Sequence, residues 1–290
     1  HGAREGSMPE EGVLALLRAI KNKDPFISSY AILNAEGKVV IDTLMADMGV
    51  NKSDRDYFRV FKQDSAPPNT YVSPVIFHPD SGIAYLYFSS PIISEAGEFL
   101  GILRVRYLAG VLQNLLEDKN GLAGSGSFGV LFDENHLHLA HGSAPEVNFI
   151  PIIELSDQKT TQLRAANRLP HLPEDELFIM QLDDLEEHLS NPETQRFFEA
   201  EDVATGELVN QVAIAQLETQ PWLVTFFQPR EIFLAPVEAQ TRTTLFLAAF
   251  IAAGAILAAF IVGQALGRPI LRLTNTVTRF GEGNLDARTQ

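Results

Sequence analysis

The chain of 290 residues has no cysteine, so disulfides and cysteine-based zinc sites are excluded. This leaves the compartment open, because exported proteins often use disulfides but need not. The catalytic signatures HExxH, GxSxG and the Walker A loop are also missing. Carboxylates are abundant, but spacing singles out no pair, and they read as a solvated surface. No catalytic residue and no cofactor is expected. Positive charge is scarce through most of the chain: residues 1–240 carry 17 basic against 35 acidic side chains, a net of −18. Such a surface repels nucleic acid and anionic surfaces. The sequence opens on HGAREGSMPEEG, with neither an initiator Met nor a signal peptide. An export signal or a first membrane helix is therefore expected upstream of residue 1.

One stretch lacks charge altogether. Leu245 to Leu266 (LFLAAFIAAGAILAAFIVGQAL) has Gln264 as its only strongly polar side chain. As a helix it spans roughly 30 Å, the hydrocarbon thickness of a bilayer. Backbone amides in lipid must bond within their own segment, so a transmembrane helix is expected rather than the core helix of a soluble protein. Arg268, Arg272 and Arg279 follow the span, while Glu231 and Glu238 precede it. The positive-inside rule then puts residues 268–290 in the cytoplasm and residues 1–240 outside.

The remainder reads as alternating sheet and helix. Glu11 to Lys23 has apolar residues at helical spacing, and Pro25 closes it. Ile27–Leu33 and Lys38–Thr43 flank the turn Asn34-Ala35-Glu36-Gly37, a hairpin signal. Ser53 to Phe61 predicts a short helix with Ser53 as N-cap. Tyr71 to Phe77 predicts an edge strand broken by Pro74, and Ile83–Ile93 and Phe99–Leu108 predict two more strands. Ala109 to Glu117 begins a helix. Gly121 to Gly129 is a Gly/Ser-rich boundary. Its GxGxxG match precedes a strand rather than a helix, so it is not read as a nucleotide loop. A second unit follows: Phe128–Phe132 and His136–Ala140 as a hairpin, a polar stretch Pro145–Ser190, then Arg196–Glu201, Leu208–Leu217 and Trp222–Gln228. The expected class is α+β, with two PAS-like antiparallel-sheet units set on an N-terminal helix.

This pattern resembles the double Cache extracytoplasmic sensor domain of bacterial transmembrane receptors. The markers are Asn34 to Gly37, SDRDYF at Ser53 to Phe58, Ser90-Pro91-Ile92, GEFLGIL at Gly97 to Leu103, FGVLFD at Phe128 to Asp133, and Pro221 to Val224. After the span, Arg268-Pro269-Ile270 to Leu273 and Gly281 to Leu285 resemble the first half of a HAMP linker. The resemblance implies five segments: the end of a long helix (1–23), a membrane-distal Cache unit (24–118), a membrane-proximal unit (119–240), a transmembrane helix (243–267) and a partial HAMP linker (268–290). It implies ligand sensing and signalling to an output module such as a histidine kinase, chemoreceptor or diguanylate cyclase module. The alternative is an ectodomain that dimerises or binds a partner protein and takes no small molecule.

The resemblance also implies where a ligand sits. In amino-acid-binding Cache domains an Arg, followed two residues later by an aromatic, grips the carboxylate. The matching positions are Arg55 and Tyr57. A Tyr and a polar residue two further on match Tyr71 and Ser73. The Asp that holds the amino group is replaced by Arg106, which cannot neutralise an ammonium. A small carboxylate or other anion is therefore expected, with hydrogen bonds from Tyr71, Tyr85 and Ser73. The plainer reading pairs Arg104 and Arg106 with surface acids such as Asp54 or Asp56. His136, His138 and His141 form HxHxxH, with His136 and His138 on one strand face, but spacing places no third ligand and no metal is expected. Ile270, Leu273, Val277 and Phe280 follow coiled-coil spacing, and with the HAMP resemblance they imply a homodimer in the membrane.

Overall fold

The structure, a computed structural model, describes residues 10–63, 69–170, 180–202 and 206–281. It divides into a body that runs to Arg230 and a C-terminal helical part.

The body opens with helix α1 (Glu10–Lys21), acidic in its first turn and basic in its last, as the helix dipole favours. Strands β1 (Ile27–Asn34) and β2 (Val39–Asp42) form a hairpin. In its turn the Asn34 side chain accepts from the amides of Glu36 and Lys38, and Gly37 takes φ +81°. Helix α2 (Asp56–Gln63) follows. It starts three residues later than the sequence suggests, because the Ser53 amide donates to Asn51 and the Arg55 amide to Lys52, which makes a turn of that stretch. The broken edge is β3 (Tyr71–Val72) and β4 (Ile76–Phe77), both paired with β5 (Ala84–Ile93). Strand β6 (Phe99–Leu108) closes the first sheet, in the order β2-β1-β6-β5-β3. Gly101 on β6 lies against β1 so closely that a Cβ there would meet the Leu33 carbonyl at 1.9 Å. Helix α3 (Gly110–Glu117) then leads to the second unit.

That unit contains β7 (Phe128–Phe132), β8 (His138–His141), helices α4 (Asp157–Ala165) and α5 (Asp183–Ser190), and strands β9 (Phe197–Asp202), β10 (Gly206–Gln216) and β11 (Leu223–Pro229). Its sheet order is β8-β7-β11-β10-β9. Both sheets thus place the hairpin that opens the unit beside the strand that ends it. The expected strand His136–Ala140 begins instead at His138. The Asp133 carboxylate accepts from the amides of Asn135 and Leu137 and turns the chain, which leaves His136 at φ +57° in the turn.

Alternation along each strand sends every second side chain to one face. In the first unit that face joins Ala31, Leu33 and Ile102 to Tyr57, Phe58 and Phe61 of α2. In the second it joins Phe128, Val130, Phe132 and Phe227 to Leu185 and Leu189 of α5. A third apolar cluster welds the units together, with Val75, Leu86 and Ala109 from the first against Leu131, Leu139, Ala140 and Trp222 from the second. The C-terminal helix α6 (Arg230–Gly281) has Pro236 and Pro269 within it and is long and apolar enough to cross a membrane. The second half of the expected HAMP motif, Glu282 to Leu285, lies outside the described residues.

Candidate functional site

The first unit's inner face holds more polarity than a core usually carries. Ser29 on β1, Arg104 and Arg106 on β6, and Tyr85, Tyr87 and Ser89 on β5 all point to the side that α2 covers, as their cross-strand register requires. Arg104 is 1 % exposed. Its guanidinium donates to Ser29 Oγ at 3.1 Å and pairs with Asp47 at 3.5 Å. It also lies 5.8 Å from the centroid of Tyr87, on which Tyr57 stacks at 5.2 Å. A buried guanidinium cannot shed its proton, so it demands a counter-charge, and the loop after β2 supplies Asp47. Burial pushes the Asp47 carboxyl up, but Lys52 and Arg104 outweigh it and the net shift is down. Burial raises the Tyr57 hydroxyl against the pull of Arg104.

Arg106 is different. Its guanidinium lies over the Tyr85 ring at 4.8 Å, a cation–π contact. Its Nε, like that of Arg104, is buried with no acceptor among the described residues, so the difference lies in the missing carboxylate. None of the ion pairs among the described residues includes it. Tyr71 pairs with Ser89 on the neighbouring edge of the same face. Burial and Asp56 raise its hydroxyl, against Arg168. Ser73 is buried, and its hydroxyl is already committed, accepting from the Tyr87 amide and donating to the Pro74 carbonyl.

The residues expected from sequence therefore separate. Tyr71, Tyr85 and Arg106 are on the face that Tyr57 covers from α2, while Ser73 turns its hydroxyl to the Tyr87 backbone at the sheet edge. Arg55 does not join them: its side chain is 56 % exposed and faces Asp54 at 3.6 Å. The proposed pairing of Arg104 and Arg106 with Asp54 or Asp56 is replaced by Arg104 with Asp47, while Asp56 pairs with Arg59. Sequence reading missed the burial of Arg104, although its spacing of two from Arg106 puts both on one face. It had no signal for Asp47, which lies in an irregular loop.

The histidines do not form one cluster. His136 bonds Glu186 at 2.7 Å from its turn, away from the strand face expected for it. His138 and His141 are fully buried on β8. Among the described residues no three His, Cys, Asp or Glu side chains are placed to hold a metal.

The backbone arrangement can now be compared with solved structures. No family model and no curated protein matches the sequence. Solved structures do match in shape. The sensor domain of the Vibrio cholerae histidine kinase DctB aligns at a TM-score of 0.53 with 16% identity, covering 76% of this chain and 79% of that one. This chain has a Cache-like fold. The periplasmic domain of RsbU from Chlamydia trachomatis aligns at 0.51 with 13% identity, covering 81% of each chain. The sensory domain of the Campylobacter jejuni chemoreceptor Tlp3 aligns at 0.50 with 15% identity, covering 77% of this chain and 74% of that one. At these identities the likeness concerns the Cache-like architecture of the two sheet units and carries no ligand with it.

Proposed function

We propose that the two sheet units are the extracytoplasmic sensing part of a transmembrane receptor, and that the first unit, the membrane-distal one, binds a small carboxylate or related anion. The fold is that of sensor domains, and α6 supplies a helix able to span the bilayer. The arginines at 268, 272 and 279 put the following segment inside. A HAMP-type linker in a homodimer would carry the signal onward, and the units themselves perform no chemistry. The observation that carries the ligand class is Arg106, a partly buried cation with no carboxylate partner among the described residues. Tyr85 lies against it, and Tyr71 stands on the neighbouring edge in the row of Arg104. Arg104 has its counter-charge and serves the architecture. A ligand carboxylate would take the place that Asp47 takes for Arg104.

The test is thermal denaturation of the whole chain in detergent with a panel of mono- and dicarboxylates. At least one is expected to raise the melting temperature, with the rise abolished by Arg106→Ala and retained in Arg55→Ala. Failure of every acid, or a shift that survives Arg106→Ala, would overturn the anion site. A second reading is favoured by the packing of Tyr57 on Tyr87 above Arg104, which fills part of the face with the chain's own side chains. In that reading the ectodomain dimerises or receives a partner protein, and no acid shifts the melting temperature.

A further inference from the structure

We propose that the second unit is an acid-sensing element, in which a proton taken up by the buried His138, beside His141 and Asp202, loosens the strand that α3 grips. His138 Nδ1 donates to the Ile150 carbonyl at 2.8 Å, which fixes the tautomer and leaves Nε2 as a lone pair. That Nε2 is buried with no hydrogen-bond partner among the described residues. Three residues on, His141 Nδ1 accepts from the amides of Ala144 at 2.9 Å and Ser143 at 3.3 Å. Its Nε2 must then carry the proton, which it donates to Asp202 at 3.1 Å. Its partners thus fix the His141 ring with Nε2 toward the Asp202 carboxyl, and both side chains are 0% exposed.

The surroundings offer a second proton little help. His138 packs on Phe132 and His141 on Phe128, with ring centroids 4.8 and 5.1 Å apart. Among the described residues β7, β10 and β11 present no charge on the same face: Thr225 and Asn210 are buried and neutral. From α5, Glu186 is held by His136 and His188 stacks on Phe198, while Asp183, Asp184 and Glu187 are exposed. The titratable groups that bear on His138 are thus His141 from its own strand and Asp202 from β9. Burial takes its pKa from 6.5 down to about 4; the Ile150 bond and Asp202 oppose the shift, and His141 adds to it. A proton from water added to Nε2 creates an imidazolium in an apolar core, which the fold relieves by opening.

The same strand is where the first unit holds the second. Gln113 of α3 accepts from the His141 amide at 3.0 Å and donates to the His141 carbonyl at 2.8 Å, as a neighbouring strand would. It also accepts from Asn148 at 2.9 Å. An opening at β8 therefore releases the grip of α3 and exposes the cluster between the units. That outside acidity reaches the group rests on the extracytoplasmic placement proposed above; the proton response itself does not.

Trp222, the single tryptophan, lies buried in the cluster between the units and reports this opening. The experiment is a pH titration of its fluorescence in the whole chain, held in nanodiscs without added carboxylate. Emission is expected to shift to the red cooperatively as pH falls toward about 4. His138→Asn keeps a donor for Ile150 and removes the proton site. It should leave the neutral-pH emission unchanged and move the midpoint down by at least about half a pH unit. Coincident midpoints, or no change down to about pH 4, would overturn the proposal. Should the variant fail to fold, the ring signals of His138 in the unmutated chain decide by NMR. They are expected to keep the neutral Nδ1–H form until Trp222 responds; a ring that titrates alone near the ordinary histidine value would overturn the proposal. Arg106→Ala should leave the midpoint in place, so that loss of carboxylate binding and loss of acid response are separate results.

Discussion

The two sheet units share a strand order and differ in what they bury on their inner faces. On β6 the inner positions are Ile102, Arg104 and Arg106, opposite Leu33, Ala31 and Ser29. On β11 the matching positions are Leu223, Thr225 and Phe227, opposite Phe132, Val130 and Phe128. One backbone arrangement thus carries two cations in the first unit and a hydroxyl and a phenyl ring in the second. The difference shows how titration chemistry shapes a core. Arginine keeps its charge, so burying Arg104 required Asp47 on the adjoining loop. Histidine can discard its proton, so His138 is buried with a carbonyl and no acid bonded to it. The first face is consequently the one proposed to take an anion, and the second the one proposed to detect protons.

The comparison can be broken at the matched strand positions. The largest effect is expected from Arg104→Ala, which opens a cavity and takes from Ser29 its donor and from Asp47 one of its two cations, Lys52 remaining; about 3 kcal/mol should be lost in denaturant unfolding. Acidification comes next. His138 has a folded pKa of about 4 against 6.5, so it costs nothing above neutrality. Its destabilisation should grow as pH falls from 6.5 and saturate below about 4, at about 3 kcal/mol. Stability curves of His138→Asn and the unmutated chain should therefore converge at neutral pH and separate in acid. Gln113→Ala removes the clamp on β8 and should cost about 2 kcal/mol, with faster amide exchange at His141. Thr225→Ala, at the position that matches Arg104, gives up one bond to the Val130 carbonyl and should cost about 1 kcal/mol. Arg55→Ala should change stability by less than about 0.5 kcal/mol, because its pair with Asp54 is exposed and screened.

Much of this protein follows from local pattern. Strand β6 was legible residue for residue, because Phe99 to Leu108 lies between a Gly turn and a helix start. The break at Pro74 separates β3 from β4, since proline cannot donate to a ladder. The uncharged run at 245–266 lies within α6. These are short-range properties of composition, spacing and backbone chemistry. Sequence also brought Tyr57, Tyr71, Ser73, Tyr85 and Arg106 to attention through a resemblance; the structure puts Tyr71, Tyr85 and Arg106 on one sheet face under Tyr57, and their role in binding is a proposal. What it could not supply was partnership at long range. Asp47 meets Arg104 from 57 residues away, and His141 meets Asp202 from 61. Gln113 substitutes for a strand only because α3 docks against β8. The same reasoning that gave Arg55 a role could not see that α2 begins at Asp56 and leaves it in solvent. Which charges are buried, and what answers them, depends on the closure of loops and sheets over one another, and the energy of burying a charge is settled by the group that tertiary folding brings to it.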